Sequence, residues 1–176
     1  MSINRICVIS TGGTIEKTYD ELNGILSNKV SVLDVMLASL ELNGLEIVRV
    51  PLMNKDSIEM TSDDHDLIAK TVGAMASTAS AFDGIIVVHG TDRLTTTGER
   101  MVELLGEPAI PVVLTGAMKP YEIRTSDAMQ NLTEAILAVR LLEPGVWCVM
   151  HSSALRFPGV IKDYDRGTFI AGPAST

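Results

Sequence analysis

The sequence predicts an α/β fold: a doubly wound parallel sheet of about five strands, with helices on both faces, in a single domain. Three observations carry that reading. Short apolar runs rich in Val and Ile are nearly continuous in character, as strands buried on both faces are. These runs alternate with longer segments of helical spacing, about four times over, and such alternation gives a parallel sheet covered by helices. Each run is followed by a cluster of glycines and polar residues.

In chain order the predicted strands are Arg5–Ser10, Leu45–Leu52, Gly84–His89, Val112–Thr115 and Val146–Met150. Between the first two, Ser31 is placed to cap a helix whose apolar face is Val32, Val35, Met36 and Leu40. Thr61 followed by Asp64 has the form of a capping box, with Leu67, Ile68 and Val72 on one face of the helix it opens. Thr97–Leu105 and Asp127–Leu142 are the next two helices. Leu132, Ala135, Ile136 and Val139 give the second an i, i+3, i+4, i+7 stripe. The stretch Ser152–Thr176 lacks helical periodicity and reads as irregular strands or a swapped arm. Right-handed crossovers would gather all strand C-termini at one edge, the flavodoxin-like arrangement in which ligands bind.

Composition narrows the classes of function. A chain of 176 residues can bury roughly 70% of its unfolded surface without disulfides. Its 46% hydrophobic and 20% charged content is that of a folded protein. A net charge of −8 with no basic run argues against nucleic acid. No apolar stretch reaches the roughly 20 residues of a membrane helix. Met1–Ser10 holds only a short apolar run with no small-residue cleavage site after it, unlike a signal peptide. Cys7 and Cys148 lie inside apolar runs and read as buried free thiols, which favours the cytoplasm.

The chemistry is expected where the strands end. The first runs into Thr11-Gly12-Gly13-Thr14, the second into Asn54-Lys55-Asp56-Ser57, and the third into His89-Gly90-Thr91-Asp92. The fourth runs into Thr115-Gly116-Ala117-Met118-Lys119 and the fifth into His151-Ser152-Ser153. On a parallel sheet these converge on one crevice. Two glycines let backbone N–H groups approach a ligand, and the threonine on either side can accept, donate or attack. The motif is neither a Walker A loop nor GxGxxG. Asp92 can bind a ligand ammonium, accept from a lysine, or cap the next helix. His65, His89 and His151 have no metal-ligand spacing, and His65, in a run of polar residues at a helix start, reads as solvated. Trp147 and the nine methionines read as core.

Three of these loops together, Thr11-Gly12-Gly13-Thr14-Ile15, His89-Gly90-Thr91-Asp92 and Thr115-Gly116-Ala117-Met118-Lys119-Pro120, resemble the bacterial-type L-asparaginases. The likeness extends over nearly the whole chain and matches that family's N-terminal domain, here 1–176 with no second domain. It implies hydrolysis of L-asparagine to L-aspartate and ammonia through a threonine acyl-enzyme, with no metal or organic cofactor. It makes Thr14 the nucleophile and Tyr19, in the mobile loop after it, the activating tyrosine. Ser57 would bind the substrate carboxylate and Asp92 its amino group. Thr91 and Asp92 would be joined by Lys162, and Gly13 and neighbouring N–H groups, with Thr91, would stabilise the oxyanion.

Two departures from the family pattern stand out. Ile58 follows Ser57 where many relatives have a polar residue. The family's smaller C-terminal domain, which lends a carboxylate to a neighbouring subunit, has no counterpart within these 176 residues, and the expected reading is a natural short form or a fragment. A homo-oligomer, dimer or tetramer, with Ser152–Thr176 near a contact, is expected to cover the crevice. The competing readings are an amino-acid-binding module and a regulatory or amidotransferase subunit with lost catalysis.

Overall fold

In the computed structural model, residues 4–29, 31–77 and 82–173 are described. The main sheet contains β1 (Asn4–Gly12), β4 (Leu45–Lys55), β5 (Gly84–Val88), β6 (Pro111–Thr115), β7 (Gly145–Met150) and β8 (Ser153–Arg156). Their order across the sheet is β4-β1-β5-β6-β7-β8. The first five are parallel, and β8 turns back antiparallel on β7. The chain leaves β1 first to one side and then to the other, so the topological switch lies between β1 and β5. All five predicted strands are present, and the sixth, β8, comes from the stretch left irregular by the sequence.

Alternation of side chains along the strands divides the core in two. Cys7 and Ile9 of β1, Ile85 and Val87 of β5, and Val112 and Leu114 of β6 face α2 (Ser62–Ser77) and α3 (Leu94–Leu105). Ile6, Val8, Ile86, Val88 and Val113 face α1 (Leu33–Ala38) and α4 (Ala128–Ala138). Each such side chain, withdrawn from water, contributes about 1.5–3 kcal/mol. Both thiols are buried and free, and burial pushes Cys7 up to about 11 and Cys148 up to about 12.

The helix starts follow local chemistry. Ser31 Oγ accepts from Leu33 N at 3.3 Å. The capping box of α2 is complete: Asp64 N donates to Thr61 Oγ1 at 3.4 Å and Thr61 N to Asp64 Oδ2 at 2.9 Å. The helices are shorter or shifted relative to the periodicity, α3 beginning at Leu94 and α4 ending at Ala138. Two assigned core positions are exposed, Val35 and Leu67. Leu33 and Leu37 take the buried face of α1, and Ile68, Ala69 and Val72 that of α2.

Two short hairpins lie outside the main sheet. β2 (Thr18–Asp20) pairs with β3 (Ile25–Ser27), and β9 (Val160–Asp163) with β10 (Thr168–Ala171). The stretch from Ser152 through Pro173 therefore forms strands β8 to β10, and its last three residues lie outside the described residues. It is not a swapped arm: Phe157, Val160 and Phe169 pack into the chain's own core. Phe157 reaches α3 at Gly98, where a Cβ would come within 2.2 Å of its ring.

Gly98 therefore inverts the usual effect of alanine in a helix. Gly98→Ala, which gains about 1 kcal/mol in an open helix, here forces the buried Phe157 ring out of place. It is expected to destabilise by about 1–3 kcal/mol and lower the melting temperature by roughly 3 °C or more. Thermal unfolding of the purified variant checks this, and an unchanged or raised midpoint would refute the packing account.

Candidate active site

β1 reaches the crevice through a register shift, Ser10 pairing with Pro51 and Gly12 with Lys55 of β4. Gly12 (φ 95°) and Gly13 (φ 81°) then turn the chain in the left-handed region, where glycine is favoured. Gly13 N donates to Lys55 O at 2.8 Å. A Cβ on Gly13 would lie 2.3 Å from the Cα of Gly90. One on Gly90 would lie 2.5 Å from Ser57 Oγ. Three of the predicted site segments thus meet backbone against backbone at the switch point.

The two threonines that flank the glycines now separate. Thr11 is fully buried and its Oγ1 donates to Val88 O at 3.0 Å, tying β1 to β5. Thr14 begins a 3-10 turn, Thr14–Glu16, is partly exposed, and its hydroxyl has no hydrogen-bond partner among the described residues. Of the two, only Thr14 has a hydroxyl free to react. Thr115 resembles Thr11: its Oγ1 donates to Val149 O at 2.8 Å.

At the end of β5, Lys162 Nζ donates to Thr91 Oγ1 at 2.9 Å and to Asp92 Oδ1 at 2.6 Å. The lysine side chain is only 10% exposed. β9 delivers it across 71 residues of sequence. Asp92 is thereby engaged by a lysine and does not cap α3, whose N-cap position is Arg93. Ser57 is buried, at the start of a 3-10 turn capped by Asp56, which accepts from Ile58 N at 3.1 Å. Burial of Asp56 is outweighed by its contacts with Lys17 (2.6 Å) and Ile58 N–H, so its pKa lies below the ordinary carboxylate value. Ser57 Oγ is buried and has no hydrogen-bond partner among the described residues. A buried hydroxyl without a partner costs free energy and marks a place where a ligand group can supply the missing bond. Ile58 is exposed beside it.

Tyr19 differs from expectation. It lies on β2, which pairs with β3, its N donates to Glu122 Oε2 at 2.6 Å, and its ring is exposed. Its hydroxyl makes no hydrogen bond among the described residues, Thr14 included. Asp20, next along, closes the hairpin turn; Lys29 and Asn23 hold its carboxyl down to about 2.

The sequence reading missed several polar groups under the site. Glu16, two residues beyond Thr14, is buried; its carboxylate accepts from Gly12 N at 3.2 Å and from Ser31 Oγ. Burial raises its pKa against those bonds and the Arg49 charge. Asp127 accepts from Met118 N (2.9 Å) and Lys119 N (3.0 Å), holding the loop after β6, and bonds His151 Nε2 at 2.7 Å. His151 Nδ1 in turn meets Thr168 Oγ1 of β10 at 3.0 Å. His65 is buried, not solvated, because it faces inward from the first turn of α2. Thr97 Oγ1 joins it, at 2.7 Å from His65 Nδ1, to His89, at 2.8 Å from Nε2. An acidic residue two positions past a catalytic candidate, or a histidine among charged neighbours, has no sequence signal that distinguishes core from surface.

Burial pushes His89 down to about 4. A depressed histidine binds its proton more readily in the unfolded chain, so stability is full above the ordinary value near 6.5 and falls as pH drops towards 4. His65, also lowered by burial and by Arg93, acts in the same direction. The loss expected from His89 alone is on the order of 3 kcal/mol across that window. Urea midpoints measured between pH 7 and pH 4.5 should fall steadily; a flat profile would mean that the imidazoles titrate alike in the folded and unfolded chains.

Comparison with known proteins agrees with this geometry. Residues 5–163 match the family model described as Asparaginase, N-terminal. The chain is 32% identical over 165 residues to an L-asparaginase of Thermococcus kodakarensis, covering 93% of this chain and 49% of that protein. It is 32% identical over 153 residues to a glutamyl-tRNA(Gln) amidotransferase component of Methanobrevibacter smithii, covering 86% and 34%. The solved thermostable L-asparaginase from Thermococcus kodakarensis superposes with a TM-score of 0.84 at 29% identity, over 95% of this chain and 51% of that one. A probable cytoplasmic L-asparaginase from Campylobacter jejuni, at 24% identity and a TM-score of 0.75, shares the fold. The chain thus spans about half the length of the L-asparaginases it matches. With the glycine turn, the Thr91-Asp92-Lys162 cluster and the sheet order all in place, the chain belongs to the asparaginase family and corresponds to its N-terminal domain.

Proposed function

We propose that the protein is an amidohydrolase that converts L-asparagine to L-aspartate and ammonia through an acyl-enzyme on Thr14. The observation that carries this reading is the Lys162 ammonium held between Thr91 Oγ1 and Asp92 Oδ1, at 2.9 and 2.6 Å, beside the glycine turn that presents Thr14. An amide is a poor electrophile, so the reaction needs an activated hydroxyl, donors for the oxyanion and a proton for the leaving ammonia. Thr14 Oγ1 attacks the carboxamide carbon, and as the C–N bond breaks its proton goes to the departing nitrogen, which leaves as ammonia with the acyl group held on Thr14. Gly13 N–H is engaged by Lys55 O, so backbone donors to the oxyanion must come from its neighbours. Thr91, polarised by Lys162, is the side-chain hydroxyl closest in kind to that task. Water then releases aspartate. Ser57, with its partnerless Oγ, and Asp92 would grip the carboxylate and ammonium of the substrate, and Tyr19 would close on Thr14 by movement of its hairpin. No residue cluster is assigned to a cofactor.

A second reading, a binding module or a component of an amidotransferase, is favoured by the relatives named for glutamyl-tRNA(Gln) amidotransferase. Ammonia release by the purified chain distinguishes the two, since a module binds the amino acid without turnover. We place the protein in the cytoplasm, in keeping with its two unpaired thiols. Among the described residues no helix is long and apolar enough to cross a membrane.

Thr14→Ala is expected to fold normally and lose at least about three decades of turnover. Lys162→Met and Thr91→Val should each remove most activity, and their double variant should be little worse than either, because the residues act as one unit. A coupled ammonia assay with asparagine and glutamine reads all of these; near-parental turnover by Thr14→Ala would remove the nucleophile assignment.

We also propose a homo-oligomer, a dimer or a tetramer, that shields the crevice, where Ile58 and Tyr164, whose ring lies 4.9 Å from Lys162 Nζ, are exposed. Sedimentation at assay concentration should show an assembly larger than one chain. A fully active monomer would end that proposal.

A further inference from the structure

Three buried side chains that the reaction above does not use form a continuous hydrogen-bonded line into the active-site loop. It runs from His65 on α2, through Thr97 on α3, to His89 at the end of β5, and finishes on the carbonyl of Gly90. The three residues are at most 4% exposed, and the imidazole rings lie nearly parallel, 6.4 Å apart.

The proton positions follow from the last link. Gly90 O can only accept, and His89 Nδ1 lies 2.7 Å from it, so Nδ1 carries the proton. His89 is held neutral by burial, which leaves Nε2 as an acceptor. Thr97 Oγ1, 2.8 Å away, must then donate its one hydrogen to Nε2, its alternative acceptor Arg93 O being farther, at 3.3 Å. The oxygen of Thr97 is left to accept, and the atom that supplies that bond is His65 Nδ1 at 2.7 Å. His65 Nε2 ends the line as a bare acceptor, and it is buried without a partner. The reverse orientation would set His89 Nδ1 and Gly90 O lone pair against lone pair. It would also leave a buried N–H unmet at His65, the rarer and costlier kind of orphan.

All three bonds therefore point the same way, toward Gly90 O, and such chains strengthen one another. The carbonyl they end on belongs to the peptide whose other end is the N–H of Thr91. Drawing electron density onto Gly90 O makes that N–H a stronger donor and fixes the plane of the peptide. The same peptide sets the position of Thr91 Oγ1 against Lys162.

We propose that His65, Thr97 and His89 are positioning residues that orient and polarise the Gly90–Thr91 peptide for the reaction. The inference rests on the reading of Thr91 as a site residue, and none of the three touches the substrate. The line also explains why α2 and α3 carry polar residues where their packing faces meet.

Nitrogen-15 spectra of the imidazoles in the full chain test the orientation without any assay. His89 and His65 should both be neutral, with Nδ1 protonated and Nε2 bare. Protonation of His89 at Nε2 would overturn the proposal. Thr97→Val keeps the shape and removes the link. It should move the Thr91 amide proton upfield and lower kcat at least about tenfold, with KM within about twofold, as expected when one donor to a developing charge is weakened. Thr97→Ser should restore both the amide shift and kcat, which a purely steric role for the methyl group would not allow. An unchanged Thr91 amide and unchanged kcat in Thr97→Val would refute the relay. If Thr97→Val does not fold, the parental spectrum and the kcat of Thr97→Ser decide. If the parental chain releases no ammonia from either amide, the proposed function fails, while the tautomer and amide-shift results still stand for or against the relay.

Discussion

The site depends on one steric constraint: two peptide backbones touch where no side chain fits. Gly13 and Gly90 approach so closely that a Cβ on either would overlap its neighbour, and Ser57 closes against the far side of Gly90. A single methyl group at any of these contacts would separate β1 from β5 at the crevice. The separation would carry Thr14 away from Thr91. The catalytic candidates are thus positioned by glycine contacts beneath them, which are fixed by van der Waals repulsion and not by adjustable hydrogen bonds.

Around that contact the polar groups divide by depth. Hydroxyls at the level of the sheet, Thr11 and Thr115, are engaged by neighbouring strands and hold the ends of the strands together. Those a residue or two farther out, Thr14 and Ser57, have no partner among the described residues. The difference follows from the ladder: a strand-end hydroxyl finds an unpaired carbonyl beside it, and one beyond the strand does not. Glu16 and Asp127, each accepting backbone N–H groups, hold the two loops on either side in shape.

The five parallel strands were legible because burial on both faces leaves an apolar run that polar residues do not interrupt, as in Ile85–Val88. The hairpins were not legible, because Thr18–Asp20 and Thr168–Ala171 are three- and four-residue strands whose partners, not their composition, make them strands. Thr14, Thr91 and Asp92 could be located from glycine-flanked strand ends. Lys162 could not: alone, it is one charge in an unremarkable stretch, and only resemblance to a family brought it to the site. His65 was misread because its neighbours Asp63, Asp64 and Asp66 are polar, while the helix turns His65 alone of the four toward the core. Periodicity identifies inward positions only when they are apolar, so a buried polar network escapes it.

The hairpin that carries Lys162 is a separate two-stranded sheet, tied to the body through Phe157, Val160 and Phe169, through Gly159 N on Glu99 at 2.7 Å, and through Thr168 on His151. Opening of such a unit would withdraw Lys162 from Thr91 and Asp92 while the parallel sheet stayed paired. The Thr91-Asp92-Lys162 cluster and the fold are then separable in this chain. Mild heat or denaturant would break the first while spectroscopic signals of the second persist, and proteases would find the hairpin before they find the core.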